Sequence, residues 1–481
     1  MRLDNLLQEY RCPEGIWDEM CGVENIRDHY SRVFNSLRQL DVGALVQKDR
    51  MAAELFMNQG ITFTVYSDNQ GIERIFPFDI IPRIIPGWEW DQIERGIQQR
   101  LKALNLFLKD VYNGQQIIHD KIIPAALVAS CPHYTREAFG IQVPHDIYVH
   151  ISGIDLIRGK DGRFYVLEDN LRTPSGVSYM LENREVTKRI FPNLLTDSQV
   201  RRVSNYPLLL HEILLQLAPS QVSDPTVVLL TPGVFNSAYY EHAFLARQMG
   251  VSLVEGRDLT VDNHKVYMKT TNGLERVHVI YRRIDDEFLD PLVFRPDSAL
   301  GVPGLMSAYR KGNVAIVNAL GNGVADDKAV YAYVPDMIRY YLNEEPILPN
   351  VPTYQLSNPE ARAYVFDHIH EMVVKRTNQS GGYGMVMGNN VTEADWARAR
   401  GQIEKESRNF IAQPIIPLST VPCFIDGEFR PRHVDLRPYA LYGPQGVKIV
   451  PGGLTRVALK EGSLVVNSSQ GGGSKDTWVI D

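Results

Sequence analysis

Two apolar-rich runs, residues 154–158 and 164–168, flank Asp161-Gly162, a dipeptide that folds a chain back on itself. If those two residues form the loop, Lys160 pairs with Arg163, and the same register sets Asp155 directly opposite Glu168. Opposed like charges destabilise a ladder, because their Cβ atoms stand about 5 Å apart. A bound cation reverses the sign, since Mg²⁺ takes carboxylate oxygens at about 2.1 Å. Asn170 lies two residues past Glu168 on the same strand face and adds a neutral oxygen. Asp155, Glu168 and Asn170 therefore read as metal ligands on a hairpin. A plainer reading stands beside it, in which the charges are solvated on an ordinary surface hairpin. A calcium loop with Gly162 sixth and Glu168 twelfth would need side-chain oxygens at Ile157 and Gly159, so that reading fails.

The rest of the chain has to supply the context. Its 481 residues correspond to about three domains of ~150 residues each. With 44% hydrophobic and 22% charged residues it has the composition of a soluble globular protein able to hold a cleft between domains. A net charge of −7 and no long basic run argue against nucleic-acid binding. No window reaches the ~18 consecutive apolar residues of a membrane span. The first ten residues lack the apolar core of a signal peptide. Cys12, Cys21, Cys131 and Cys423 are scattered without a C-x-x-C spacing, which points to reduced thiols in a cytoplasmic protein.

Residues 1–60 read as helices, followed by a hairpin of 61–66 with 71–76, an extended Pro-rich connector over 77–86 and a long amphipathic helix over 88–112 with a solvated charged face. After a boundary at 218–225, the strand Val227-Val-Leu-Leu230, a helix closed by Gly250 and the strand 251–254 make a βαβ unit without a G-x-G-x-x-G fingerprint. The strand 277–281 runs into Arg282 and Arg283, placed to clamp a substrate carboxylate or to serve as a strand-end charge cluster. A strand ending in Lys375 precedes Ser380-Gly-Gly-Tyr-Gly384, whose backbone N–H groups could converge on phosphate; flexible turns with this composition are also common. No Walker A loop exists. The strand 410–416 carries Gln413-Pro414, an edge or hinge, because proline cannot donate to a ladder. Arg437 and Arg456 stand on later strands, and residues 470–475 have the composition of a flexible linker.

Taken together these pieces resemble the ATP-grasp ligases with their halves in reversed chain order. The metal strand pair, which usually comes last, precedes the lysine strand and lid. That order resembles the circularly permuted ATP-grasp family, some of whose members are labelled glutathionylspermidine synthase-like. The likeness extends over Tyr165-Val-Leu-Glu-Asp-Asn-Leu-Arg-Thr-Pro-Ser-Gly-Val-Ser-Tyr179 and over residues 237–242, 254–259, 325–331 and 471–478. It implies an α/β fold, α+β in parts. An N-terminal helical and β region (1–145) precedes the magnesium half (146–205), a Rossmann-like domain (222–325), the phosphate-lid and hinge half (326–465) and a Gly-rich tail (466–481).

The resemblance also implies an ADP-forming ligase that joins a carboxylate to an amine through an acyl phosphate, using ATP and Mg²⁺. Asp155, Glu168 and Asn170 would hold the metal. Lys328, Lys375, Ser380, Gly381, Gly382 and Gly384 would contact phosphates, and Gln413 and Ile415 the adenine; Gln413 replaces the glutamate common there. Arg172, Arg437 and Arg456 would stabilise the transferring phosphoryl group. The substrates would be amino acids, short peptides or polyamines, with no nucleic acid or membrane partner. A small-molecule kinase and a non-catalytic nucleotide-binding partner are the rival readings.

Overall fold

The computed structural model describes residues 9–22, 25–67, 70–378, 385–466 and 472–481. Its centre is a nine-stranded sheet built from both ends of the chain. The strand Ile151–Arg158 neighbours Tyr439–Gly443 and Glu428–Arg437, all antiparallel, and its residues 153–158 also pair with Phe164–Asn170. Beyond Glu428–Arg437 come Leu454–Val457, then Gly473–Ile480, and finally Phe78–Pro86 at the edge. The first half of the chain thus supplies strands to a sheet completed by the strands from Thr420 onward, which is the geometry expected of a permuted order.

Two of the smaller sheets have four strands each. The strands Ala315–Val317, Val279–Arg282, Val227–Leu230 and Ser252–Val254 form a parallel sheet, with the helix Tyr239–Met249 as crossover and Gly250 in the left-handed region as its cap. The strands Tyr354–Gln355, Phe410–Pro414, Met372–Arg376 and Val386–Met387 form an antiparallel sheet. Among the described residues no helix is long and apolar enough to cross a membrane.

The hairpin differs from the expected two-residue loop. Gly159 donates to the Arg163 carbonyl, and Gly162 donates to Gly159. The loop is Lys160-Asp161-Gly162, with Gly162 at φ +78°, a three-residue turn closed by a glycine in the left-handed region. That shifts the register by one, so Arg158 faces Phe164 and Leu156 faces Val166. A bulge between Asp155 and Leu156, at the level of Leu167, restores it, and Asp155 does oppose Glu168.

Several sequence expectations are corrected. The Pro-rich stretch 77–86 is the edge strand Phe78–Pro86, and Pro82 sits where the register to Gly473–Ile480 is interrupted, so its missing N–H breaks no ladder bond. The linker-like composition of 470–475 conceals the start of Gly473–Ile480, buried along its whole length; residues 467–471 lie outside the described residues. Inside it, Lys475 pairs with Asp79. The helix Gly87–Val111 is more than a solvated face: Arg100 forms a bidentate pair with Asp169 at 2.7 Å, and Glu89 meets Arg158. Cys12 and Cys21 are joined as a disulfide, against the expectation of free thiols, because Asp18 accepts from the Met20 and Cys21 N–H groups and turns the segment back. Cys131 and Cys423 are free and buried.

Because Gly473–Ile480 lies inside the sheet, a chain lacking residues 472–481 is expected to lose cooperative folding altogether. Circular dichroism during heating checks this. A cooperative melt near that of the full chain would contradict the placement of the strand.

Candidate active site

Neighbouring strands of the large sheet bring one face of charged side chains together. Asp155 is buried, and its Oδ1 accepts from Arg437 Nε at 2.5 Å while Oδ2 accepts from Arg437 Nη2 at 2.8 Å and from Arg456 Nη2 at 2.6 Å. Arg456 also pairs with Asp435, which stands two residues before Arg437 on the same strand face. Across the hairpin ladder, Glu168 Oε2 lies 3.2 Å from Lys328 Nζ. Lys328 opens a short helix whose N-cap, Asp327, accepts from the Ala329 and Val330 N–H groups. Lys375 Nζ donates to Gln413 Oε1 at 2.8 Å, and Gln413 Nε2 donates to Thr353 at 3.0 Å.

Four cations (Lys328, Lys375, Arg437, Arg456) therefore surround three carboxylates (Asp155, Glu168, Asp435), one positive charge in excess. Burial alone would push the Glu168 carboxyl up, yet Lys328, Lys375, Arg437 and Arg456 together hold it well below the usual carboxylate range. Lys375 shows the converse. Burial and the neighbouring Lys328 and Arg456 bring it down to about 8, against the opposing pull of Glu168 and Asp155.

This shift gives a pH signature. Below pH about 8 Lys375 is charged in the resting protein; above it, up to the ordinary lysine value of 10.5, it is neutral, and an arriving triphosphate would restore its proton. Nucleotide affinity is expected to fall as pH rises through about 8, with proton uptake on binding. Lys375→Arg, which stays charged, should flatten the decline. Calorimetry in buffers of different ionisation enthalpy checks this, and identical profiles for both proteins would remove Lys375 from the phosphate site.

The donor set fits a hard divalent cation: a carboxylate kept anionic at Glu168, the Asn170 amide beside it, and one lone pair left on Asp155 Oδ1. Asn170 Nδ2 is buried without a partner among the described residues; the amide oxygen is the atom that could reach a cation. The turn after Asn170 is firmly held. Glu241 Oε2 accepts from the N–H groups of Gly176 and Ser178 at 2.8 and 3.0 Å, capping the helix Val177–Ile190. A Cβ on Gly176, at φ +109°, would meet the Tyr439 hydroxyl at 2.5 Å. Arg172 leaves this turn with Nε on Asp326 at 2.9 Å and Nη1 3.6 Å from Asp285.

The structure places other sequence candidates differently. Arg282 and Arg283 are buried and internally engaged. Arg282 donates to the carbonyls of Asn318 and Ile284 and pairs with Asp286, while Arg283 donates to Pro174, Tyr281, Ser175 and Glu241. They hold the turn rather than offering free forks to a ligand. Phe410–Pro414 is a central strand, with Pro414 at its last position. There the Gln413 amide orients Lys375, and the Ile415 N–H donates to the Glu371 carbonyl. Ser380, Gly381, Gly382 and Gly384 lie outside the described residues. Sequence reasoning missed Asp326, Asp435 and Glu241, although the period-two spacing of Asp435 and Arg437 was a usable signal.

The family model described as circularly permuted ATP-grasp type 2 matches residues 82–458. An uncharacterised protein of Synechocystis sp. is 53% identical over 475 residues, covering 98% of each chain. A Frankia casuarinae protein with the provisional name glutamate–cysteine ligase 2-2 is 41% identical over 98% of this chain and 54% of its own length. Among solved structures, a glutathione synthetase-like effector from Globodera pallida shares the fold at a TM-score of 0.59, with 10% identity over 92% of this chain and 98% of that one.

Proposed function

The chain belongs to the circularly permuted ATP-grasp family, type 2, and from that premise we propose that this ATP-dependent ligase joins a small-molecule carboxylate to an amine, forming ADP and phosphate. The observation that carries the reading is the surplus of buried cations facing Asp155 and Glu168, an arrangement suited to a polyphosphate with its metal.

In the first step a carboxylate oxygen of the acid attacks the γ-phosphorus, and the bond to the bridging oxygen of ADP breaks. In the second the amine attacks the acyl carbon, and phosphate leaves. Little covalent chemistry falls to the protein, so alignment and charge neutralisation carry the rate. Lys328 and Lys375 would bind the phosphates, while Arg172, Arg437 and Arg456 would stabilise the transferring phosphoryl oxygens. Glu168, Asn170 and the remaining lone pair of Asp155 would hold Mg²⁺. When bound, that ion would neutralise charge shared by the β- and γ-phosphates. Ser380, Gly381, Gly382 and Gly384 would close over the phosphates and exclude water, and Gln413 and Ile415 would border the adenine.

Cytoplasmic amino acids or short peptides suit such a site. The name of the Frankia relative makes glutamate and cysteine the first pair to try, and the glutathionylspermidine synthase likeness adds polyamines as amines. The test is ADP release with Mg²⁺ from a panel of L-glutamate, L-cysteine, the other amino acids, glycylglycine and spermidine, run with and without hydroxylamine. An acyl phosphate gives a hydroxamate. ADP formed without hydroxamate would favour the kinase reading and defeat this one.

A further inference from the structure

One largely buried titratable group has no role in the chemistry above. The imidazole of His133 makes no hydrogen bond among the described residues, and its Nε2 is shut off from solvent. His133 and Arg172 meet over Gly323, where an added Cβ would stand 2.8 Å from His133 Cβ and 3.1 Å from Arg172 Cδ. The charged groups facing the ring are Arg172, Asp326, Asp285 and Asp327. Burial and Arg172 hold the imidazole below its ordinary value of 6.5 against the pull of the three carboxylates, so the ring is neutral at pH 7.

Asp285 stands at the other end of this group. It follows the strand Val279–Arg282 at the carboxyl edge of the parallel sheet, where open α/β sheets bind ligands. Its side chain is 49% exposed, caps no helix, and has one long contact, the 3.6 Å approach of Arg172. The next residue, Asp286, is by contrast engaged by Arg282, the Gly321 N–H and the Thr135 hydroxyl. Arg172 gives its Nε to Asp326 at 2.9 Å and comes no nearer to Asp285 than 3.6 Å, which leaves the Asp285 carboxylate room for a second cation beside the imidazole.

We infer that this corner is the subsite of the amine substrate, a primary ammonium group anchored by Asp285 and deprotonated by His133. The assignment rests on the ligase reading. One N–H bond of the ammonium breaks and its proton goes to Nδ1 of the imidazole, the ring nitrogen that is not shut off, with the hydrogen of the neutral ring on Nε2. The released lone pair forms the C–N bond at the acyl carbon, the C–O bond to phosphate breaks, and inorganic phosphate departs with its electron pair and takes up the second N–H proton, leaving a neutral amide.

Hydroxylamine separates the two roles, because it is largely neutral at pH 7 and needs no base. With each acid and amine of the panel that supports ADP release, His133→Gln is expected to lower amide formation about 10²-fold while hydroxamate forms at the wild-type rate. The deficit should shrink as pH rises toward the pKa of the amine. Asp285→Asn, at an exposed position that does not threaten folding, should raise the KM for the amine with kcat retained. Equal loss of amide and hydroxamate in His133→Gln, or undiminished amide formation, would overturn the assignment. Absence of hydroxamate from the wild-type protein defeats the ligase reading itself, and the assignment falls with it.

Discussion

Asp155→Asn is expected to destabilise the protein by about 3–5 kcal/mol, the cost of leaving buried charges without their counter-ion. The native carboxylate is 1% exposed and receives three guanidinium N–H groups, two from Arg437 and one from Arg456. An amide of the same shape keeps the volume but cannot answer either positive charge. Arg456 retains Asp435, so Arg437 bears most of the loss. Urea unfolding measures the change. A midpoint equal to that of the wild type would mean that water compensates these arginines. Combining Asp155→Asn with Arg437→Gln should be less destructive than the two single effects added, with a coupling of about 0.5–3 kcal/mol.

Glu168→Gln should behave in the opposite way, with the fold intact and ATP turnover lowered about 10²–10³-fold, as when one preorganised electrostatic group is removed from an active site. Glu168 is less enclosed than Asp155, at 21% side-chain exposure, and its one ion-pair contact among the described residues is to Lys328 at 3.2 Å. The glutamine keeps a neutral oxygen for Lys328 but removes the charge that a magnesium ligand supplies. ADP release measured against Mg²⁺ concentration checks this, alongside a thermal melt. Turnover at the wild-type level with unchanged metal dependence would sink the ligand assignment. Together these outcomes would mark Asp155, which keeps one lone pair for the metal, as chiefly a support of the sheet and Glu168 as chiefly a group of the reaction.

That division was not legible in the sequence. Opposed carboxylates at 155 and 168 can be inferred from a turn signal and strand periodicity, both local properties. The inference reached the right pair through a wrong loop, since a three-residue turn and a bulge offset one another. The arginines that neutralise Asp155 arrive 282 and 301 residues later in the chain, and no local pattern reports their approach. For the same reason the sequence left two readings open for Arg282 and Arg283, a carboxylate clamp and a strand-end charge cluster. A pair of arginines at a strand end looks available until the carbonyls that absorb its donors are in place. Gln413 was read as a base-facing amide, and its contact with Lys375 is one that no local pattern reports.

Local composition misled where burial was set by distant segments. Prolines at 77, 82 and 86 suggested a connector, and glycines at 471–473 a linker. Each stretch borders or enters a strand that the other completes, Phe78–Pro86 beside Gly473–Ile480. The sequence by itself determined the motifs, their permuted order and the residue types able to handle phosphate and metal, because these depend on neighbours a few positions away. Only the tertiary structure decided which charges meet, which are already satisfied, and which, like His133 and Asp285, remain open. Those outcomes depend on pairing across hundreds of residues and on the exclusion of water, and neither is encoded in any short window of the chain.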